Sequence, residues 1–377
     1  MKWDAHAWAS ASASIAVSQE KPRKKTKKLR SNLTKQFPQK TWRALARGLA
    51  LSALLFVFRP AQAVEIRLGF FPNITHAQAL YARATRYFET NGFEVRWQSF
   101  NAGPTAIEAL FSDAIDATYI GPSPTINGYA RSHGEKFVII AGAASGGSAL
   151  VVREDSAIKQ DNDFAGKTLA TPQLGNTQDV AARIWLSEHG LRPRVQGGTV
   201  TLVPLSNPDQ ITMFKTKEID AAWTVEPWVS RLELEASGKV FLEEKSLWPE
   251  GKYVTTHLVV TRKFLREQPD LVRKLLAAHV EVTQLINSNK TKATIVLNQQ
   301  IRKETSRTLR EDVITRALER VELTWDPIAQ SLERQAASAH KIHFLRQEPD
   351  LRGIYELDLL NEVLRSKSLP TVAAAIK

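Results

Sequence analysis

The chain reads as an α/β protein of two lobes with a helical C-terminal tail. Three observations predict it. Short apolar runs alternate with helical runs through brief turns between residues 64 and 141, as expected of an open, largely parallel sheet. The same alternation resumes after Gly142-Ala-Ala-Ser-Gly-Gly-Ser148. Two further apolar strands, Ala149–Arg153 and His257–Thr261, are placed to carry the chain between the two repeats. Lobe 1 is thus expected to comprise 64–147 plus 257–377 and lobe 2 residues 148–256, with a hinge near Ser148 and Thr256.

In order, Val64–Leu68 is a strand, and Thr75–Thr90 is an amphipathic helix stopped by Asn91-Gly92. Phe93–Gln98 alternates with period two and is the next strand. A short helix over 106–112, a strand over Ile115–Ile120, a helix over Thr125–Ser132 and a strand over Lys136–Ala141 complete the first repeat. In the second, strands at Lys167–Thr171, Val200–Pro204, Ala221–Thr224 and Val240–Leu242 accompany helices at Gln178–Glu188, Asn207–Thr216 and up to Ala236. From 263 to about 366 the pattern is helical, broken near Pro269, Pro327 and Pro349.

The joints matter most for function. Ile66 to His76, Phe100-Asn-Ala-Gly-Pro-Thr105 and Thr118-Tyr-Ile-Gly-Pro-Ser-Pro-Thr125 each end a strand and open a helix with a small polar residue. In a parallel sheet their helix N-termini share one edge. Unpaired N–H groups and the positive dipole ends converge there, which suits an anion. Leu174-Gly-Asn-Thr-Gln-Asp179 is the opposing lobe's counterpart. Together the joints predict a two-jawed clamp for a small anion.

The net charge of +12 does not indicate nucleic acid once it is located. Residues 1–63 hold 13 Lys/Arg against 2 Asp/Glu, whereas 64–377 hold 38 against 37. The basicity belongs to a leader that reads as a secretory signal: basic residues to Arg47, an apolar stretch Gly48–Phe58, and a small-x-small cleavage site at Ala61-Gln-Ala63. The apolar stretch is too short to span a bilayer. With no cysteine there is no disulfide, no thiolate metal site, no cysteine nucleophile and no lipid-anchoring cysteine. The expected product is exported, free in a periplasm, and monomeric.

Four segments carry a family resemblance: Gly69-Phe-Phe-Pro-Asn-Ile-Thr-His76, Gly121-Pro-Ser-Pro124, Gly147-Ser-Ala-Leu-Val-Val152 and Ala222-Trp-Thr-Val-Glu-Pro-Trp228. With them the chain resembles the periplasmic substrate-binding components of ABC importers for alkanesulfonates, taurine, nitrate and bicarbonate. Their superfamily also holds proteins handling pyrimidine precursors of thiamine. The resemblance implies the type II periplasmic-binding-protein architecture, capture of a small organic anion, foremost an aliphatic sulfonate, and delivery to an inner-membrane permease. Taurine, nitrate, bicarbonate and a pyrimidine precursor are the alternatives. No cofactor or metal is expected. No HExxH, GxxxxGK[ST], strand-linked GxGxxG or GxSxG motif is present, and pyrimidine synthases of the superfamily are marked by a cysteine-rich stretch, so no enzyme activity is expected.

The candidate ligand-binding residues are Asn73, His76, Thr105, Ser123, Thr125, Ser148, Asn176, Thr177, Trp223 and Glu226. Asn73 and His76 would reach ligand oxygens, or else make a turn. Thr105, Ser123 and Thr125 would add hydroxyls around the anion, or merely cap helices. Ser148 stands at the presumed hinge, and Asn176 and Thr177 are donors from lobe 2. Trp223 or Trp228 would wall an organic tail or fill the core. Glu226 would hold a ligand amine, or pair with Arg183 or Arg231.

Overall fold

The structure is a computed structural model that describes residues 65–373. The leader and the signal segment lie outside them. In chain order the elements are β1 (Glu65–Phe70), α1 (Ala77–Thr85), α2 (Tyr87–Thr90), β2 (Glu94–Ser99), α3 (Gly103–Phe111), β3 (Ala117–Ile120), α4 (Pro122–Arg131) and β4 (Phe137–Gly146). Lobe 2 then supplies β5 (Ser148–Arg153), β6 (Thr168–Thr171), α5 (Thr177–Glu188), β7 (Thr201–Pro204), α6 (Asn207–Lys215), β8 (Ala221–Val225), α7 (Trp228–Ala236) and β9 (Gly238–Glu243). The chain returns through β10 (Val254–Thr261) to α8 (Arg262–Glu267), α9 (Pro269–Ser288), α10 (Lys290–Thr305), α11 (Glu311–Arg320), β11 (Val321–Leu323), α12 (Ala329–Lys341) and α13 (Asp358–Ser366).

Two sheets result. The first runs β11-β4-β10-β3-β1-β2, the second β7-β6-β8-β5-β9. Strands β1, β2 and β3 are parallel, as are β6, β7 and β8. The strands adjoining the crossings are antiparallel to their neighbours: β10 lies between β3 and β4, and β5 between β8 and β9. Burial explains the composition. Strands β3, β4, β8 and β10 are buried along their whole length and read as near-continuous runs of apolar and small residues, whereas the edge strand β2 alternates. The largest core packs sheet 1 against α1, α9 and α13, with Leu68, Phe70, Leu275 and Leu360 fully buried.

Three details depart from the sequence reading. The helix expected over Thr75–Thr90 breaks at Arg86, which is left-handed (φ 54°). The break accompanies the burial of Phe88, whose ring stacks on Phe93 and Trp97 at 5.2 and 5.5 Å. The Gly142–Ser148 stretch is not a break, because β4 continues to Gly146. Its small residues admit close backbone: a Cβ on Gly142 would stand 2.0 Å from the Asp326 carbonyl oxygen. The second return begins three residues before His257, at Val254.

The tail is also more than a run of helices. It adds β11 to the edge of sheet 1, pairing Val321 with Gly146. It then bonds the sheet repeatedly: Gly142 N–H donates to the Trp325 carbonyl at 2.8 Å, and Ile139 N–H to that of Ile354 at 2.8 Å. Val254 N–H donates to the Ser331 hydroxyl at 2.9 Å. A three-residue strand leaves too short a pattern to be read from sequence.

Candidate functional site

The joints of both lobes meet at one small cavity of about 30 Å³. Lobe 1 contributes Asn73, Thr75 and His76, the start of α3 at Ala102-Gly103, and Gly121 and Pro124 at the start of α4. Lobe 2 contributes Asn176, Thr177 and Gln178 at the start of α5, Asn207 at the start of α6, and Val225 at the end of β8. Four helix N-termini therefore converge from two sides. Thr255 and Thr256 of β10 complete the wall.

His76 is buried, and Phe71 N–H donates to its Nδ1 at 3.3 Å. The ring proton therefore belongs on Nε2, for which no partner is found among the described residues. Its ring stacks on Phe71 at 4.4 Å, and burial pushes its pKa down to about 3, so the imidazole is neutral. The Asn73 Oδ1 accepts from Trp228 Nε1 across the lobes at 2.9 Å, which leaves the amide's donors free. Asn207 Oδ1 likewise accepts from the Thr224 hydroxyl at 3.0 Å. Asn176 caps α5 by accepting from Asp179 N–H at 2.8 Å, and its Nδ2 donates to Gln178 Oε1 at 3.1 Å. Asp179 itself, away from the cavity, is paired with Arg183 at 2.9 Å.

Thr177 stands out. Its hydroxyl is buried with no hydrogen-bond partner, a state that costs about 1–3 kcal/mol unless something bonds it. It lies against Gly121, where a Cβ would come within 2.4 Å of the oxygen, so the opposing lobe is bare to make room for it. At α4 the donors are fewer than the sequence suggests. Pro122 and Pro124 have no N–H, and Thr125 N–H already reaches the Gly121 carbonyl at 3.4 Å.

Among the described residues, not one Lys, Arg, Asp or Glu lines the cavity. What the arrangement offers is a set of neutral donors: the His76 Nε2–H, the Thr177 hydroxyl, the amides of Asn73, Asn207 and Gln178, and helix-start N–H groups. Among the described residues no group of three His, Cys, Asp or Glu could hold a metal ion.

Six of the ten candidate residues stand elsewhere. Thr105 is exposed, and its hydroxyl donates to the Ala102 carbonyl at 2.8 Å. Thr125 is fully buried and donates to the Gly121 carbonyl at 2.8 Å, inside its own first turn. Both hydroxyls are used up by local helix bonds. Ser148 donates to Glu244 at 2.5 Å. Trp223 belongs to the core of lobe 2, beside Trp185, and donates its Nε1–H to the same Glu244 at 2.8 Å. Glu226 faces away from the cavity. It pairs with Arg320 at 3.2 Å, not with Arg183 or Arg231, and accepts from the Ser230 hydroxyl at 2.8 Å. Ser123 opens onto an adjacent pocket. Asn101, Gln178, Asn207 and Thr255 line the cavity without having been singled out, and Thr256, expected only as a hinge position, lines it too. Asn101 and Gln178 sat inside the quoted joints and Asn207 opened a predicted helix, but Thr255 carried no local sign of its own.

The fold places the chain in a known class. It superposes on the alkanesulfonate-binding protein of Xanthomonas axonopodis bound to MOPS with a TM-score of 0.66, at 18% identity over 79% of this chain and 99% of that one. The periplasmic nitrate-binding protein of Synechocystis gives 0.70, at 16% identity over 82% and 90%. The protein therefore has the two-lobe periplasmic-binding-protein fold. In sequence it is 26% identical over 239 residues to the taurine-binding periplasmic protein of Escherichia coli, covering 63% of this chain and 72% of the relative. A putative aliphatic sulfonates-binding protein of Bacillus subtilis is 24% identical, covering 57% and 63%. The chain belongs to the NMT1-like family, which matches residues 59–298. It is a solute-binding protein of the ABC-import type, and the relatives it matches are named as binding proteins.

Proposed function

We propose that the protein captures a small organic anion in the cavity between its lobes, foremost an aliphatic sulfonate, and delivers it to an inner-membrane permease. The observation that carries this reading is the uncharged cavity with converging donors. A sulfonate is a strong acid and is ionised at any working pH, so it needs neutral donors rather than a base or a counter-ion. Hydrogen bonds to a charged acceptor are worth about 1.5–3 kcal/mol each, and helix N-termini add to them. The absence of a carboxylate from the lining favours a ligand without an amine, so a plain alkanesulfonate suits it better than taurine. Apolar lining atoms at Phe71, Pro172 and Val225 suit the carbon next to the sulfonate. The names of the relatives support the same ligand class. Export through the leader to the periplasm, where such relatives are named as residing, belongs to the same reading.

Titration calorimetry with methanesulfonate, ethanesulfonate, taurine, nitrate and bicarbonate tests it. The two alkanesulfonates should bind, and at about a hundredfold over Kd should raise the melting temperature by several degrees, since that excess adds about 2.7 kcal/mol. Tighter binding of taurine than of ethanesulfonate would contradict the amine argument. No heat and no thermal shift with any of the five at millimolar concentration would overturn the anion reading.

A further inference from the structure

We propose that Asp179 is a positioning residue of the anion site. It touches no ligand; its carboxylate braces the lobe 2 jaw from behind, and Arg183 cancels its charge so that the anion in front is not repelled. This rests on the anion reading above. The cavity residues supplied by this joint, Pro172, Asn176, Thr177 and Gln178, all fall between the end of β6 and Asp179. Asp179 itself is only 1% exposed and, like Arg183, is not part of the cavity wall.

Both carboxylate oxygens are fully engaged. Oδ2 accepts from Gly175 N–H at 2.9 Å and Oδ1 from the Thr171 hydroxyl at 3.1 Å. One side chain thus ties the last residue of β6 to the middle of the turn. Arg183, one turn further along α5, donates Nε–H to Oδ2 at 2.9 Å and Nη2–H to Oδ1 at 3.2 Å, the two-pronged geometry that suits a guanidinium. The backbone joins in, because Asp179 N–H donates to Asn176 Oδ1 at 2.8 Å. Gly175 and Asn176 are therefore both pinned immediately before Thr177. Gly175 is left-handed (φ 77°) and buried, so without the carboxylate its N–H would lose its acceptor in the interior. Four donors converge on this one group. An amide in its place offers a single oxygen and turns its own N–H groups toward some of those donors, so the brace requires a carboxylate. The carboxylate brings a charge that burial leaves poorly screened, and an anion site cannot tolerate it bare. Arg183 resolves the conflict: brace and cation together present no net charge to the cavity.

The test is methanesulfonate calorimetry on the natural protein, Asp179→Asn and Arg183→Met, with amide hydrogen exchange on the unliganded forms. Asp179→Asn leaves Arg183 as an unpaired cation, which by charge alone should tighten an anion. Loss of the brace should instead weaken binding about tenfold and speed exchange at residues 175–178, with lobe 1 unchanged. Arg183→Met keeps the bonds to Gly175 and Thr171 but bares the carboxylate. It should also weaken binding about tenfold, with exchange in the turn unchanged. Affinity of Asp179→Asn equal to or tighter than that of the natural protein would overturn the positioning role while leaving the anion site standing. Unchanged affinity in Arg183→Met would overturn the neutralising role. No binding by the natural protein would overturn both this and the anion reading. Should Asp179→Asn fail to fold, Thr171→Val and Thr171→Ser replace it: the first, without the hydroxyl, should bind severalfold more weakly than the second, and equal affinities would contradict the brace.

Discussion

The lobes meet in two chemically opposite zones. At the cavity every lining side chain is uncharged. A short way along, beside the first crossing, Arg320 at the end of α11 reaches into lobe 2 and pairs with Glu226, Glu233 and Glu243 at 3.2, 2.6 and 2.9 Å. Burial works against the Arg320 charge, but the hydrogen bond to Glu233 and the attraction of the three carboxylates outweigh it and raise its pKa. Glu226 is the most enclosed of the three. Burial pushes its pKa up to about 7, against the pull of Arg320 and the bonds from Ser230. The difference teaches a division of labour. Ion pairs hold lobe to lobe outside the cavity, and under the proposed function the ligand's own charge is the one charge the uncharged lining would accommodate.

Breaking the charged zone should have the largest effect. Arg320→Met leaves Glu226 buried without its cation, and such losses cost about 3–5 kcal/mol. A drop in melting temperature is expected at pH 8, shrinking as the pH falls and Glu226 takes a proton. A variant as stable as the parent would mean the pairs contribute nothing. Thr177→Val tests the uncharged zone. It should weaken sulfonate binding by about 1.5–3 kcal/mol in calorimetry, while the unliganded protein melts at the same or a higher temperature because a buried orphan hydroxyl is gone. Reduced stability with unchanged affinity would assign Thr177 to the fold alone.

The smallest effect, and the sharpest contrast, concerns pH. His76 is the cavity's titratable side chain and is held near 3, so affinity should be flat from pH 5 to 8. Stability should not be. Glu226, with a folded pKa of about 7 against an ordinary 4.5, contributes stability that is complete below pH 4.5 and lost as pH rises to about 7. His76, His257 and His279 are pushed by burial to about 3, 4 and 4, so their contribution is present above pH 6.5 and lost as pH falls through those values. In Glu226→Gln, melting curves should lose the first dependence and keep the second. An affinity slope near pH 7 would show that the charged zone takes part in closing on the ligand.

The sequence made the fold and half of the site legible, for local reasons. Strand-to-helix joints are written in caps, prolines and turn residues within a few positions of one another, so Asn73, His76, Asn176 and Thr177 could be named and do reach the cavity wall. Sequence cannot say which way a hydroxyl at a helix start turns. Thr105 and Thr125 turn back to their own carbonyls, whereas Thr177 does not. Long-range partners were equally out of reach. The cation opposite Glu226 lies 94 residues away, and Thr255 and Thr256 enter the wall only because β10 is inserted between β3 and β4.

The tail that binds itself to sheet 1 separates two kinds of boundary. The family match runs from residue 59 to residue 298, but the folding unit does not stop there. Without the later residues β4 would lose its outer neighbour, the Ile139 and Gly142 amides would lose their acceptors, and His257 would lose the Pro327 carbonyl at 3.2 Å. Arg320, the cation of the charged zone, would go with them. Past the residues that the family model matches, the molecule is still assembling its sheet and fastening one lobe to the other.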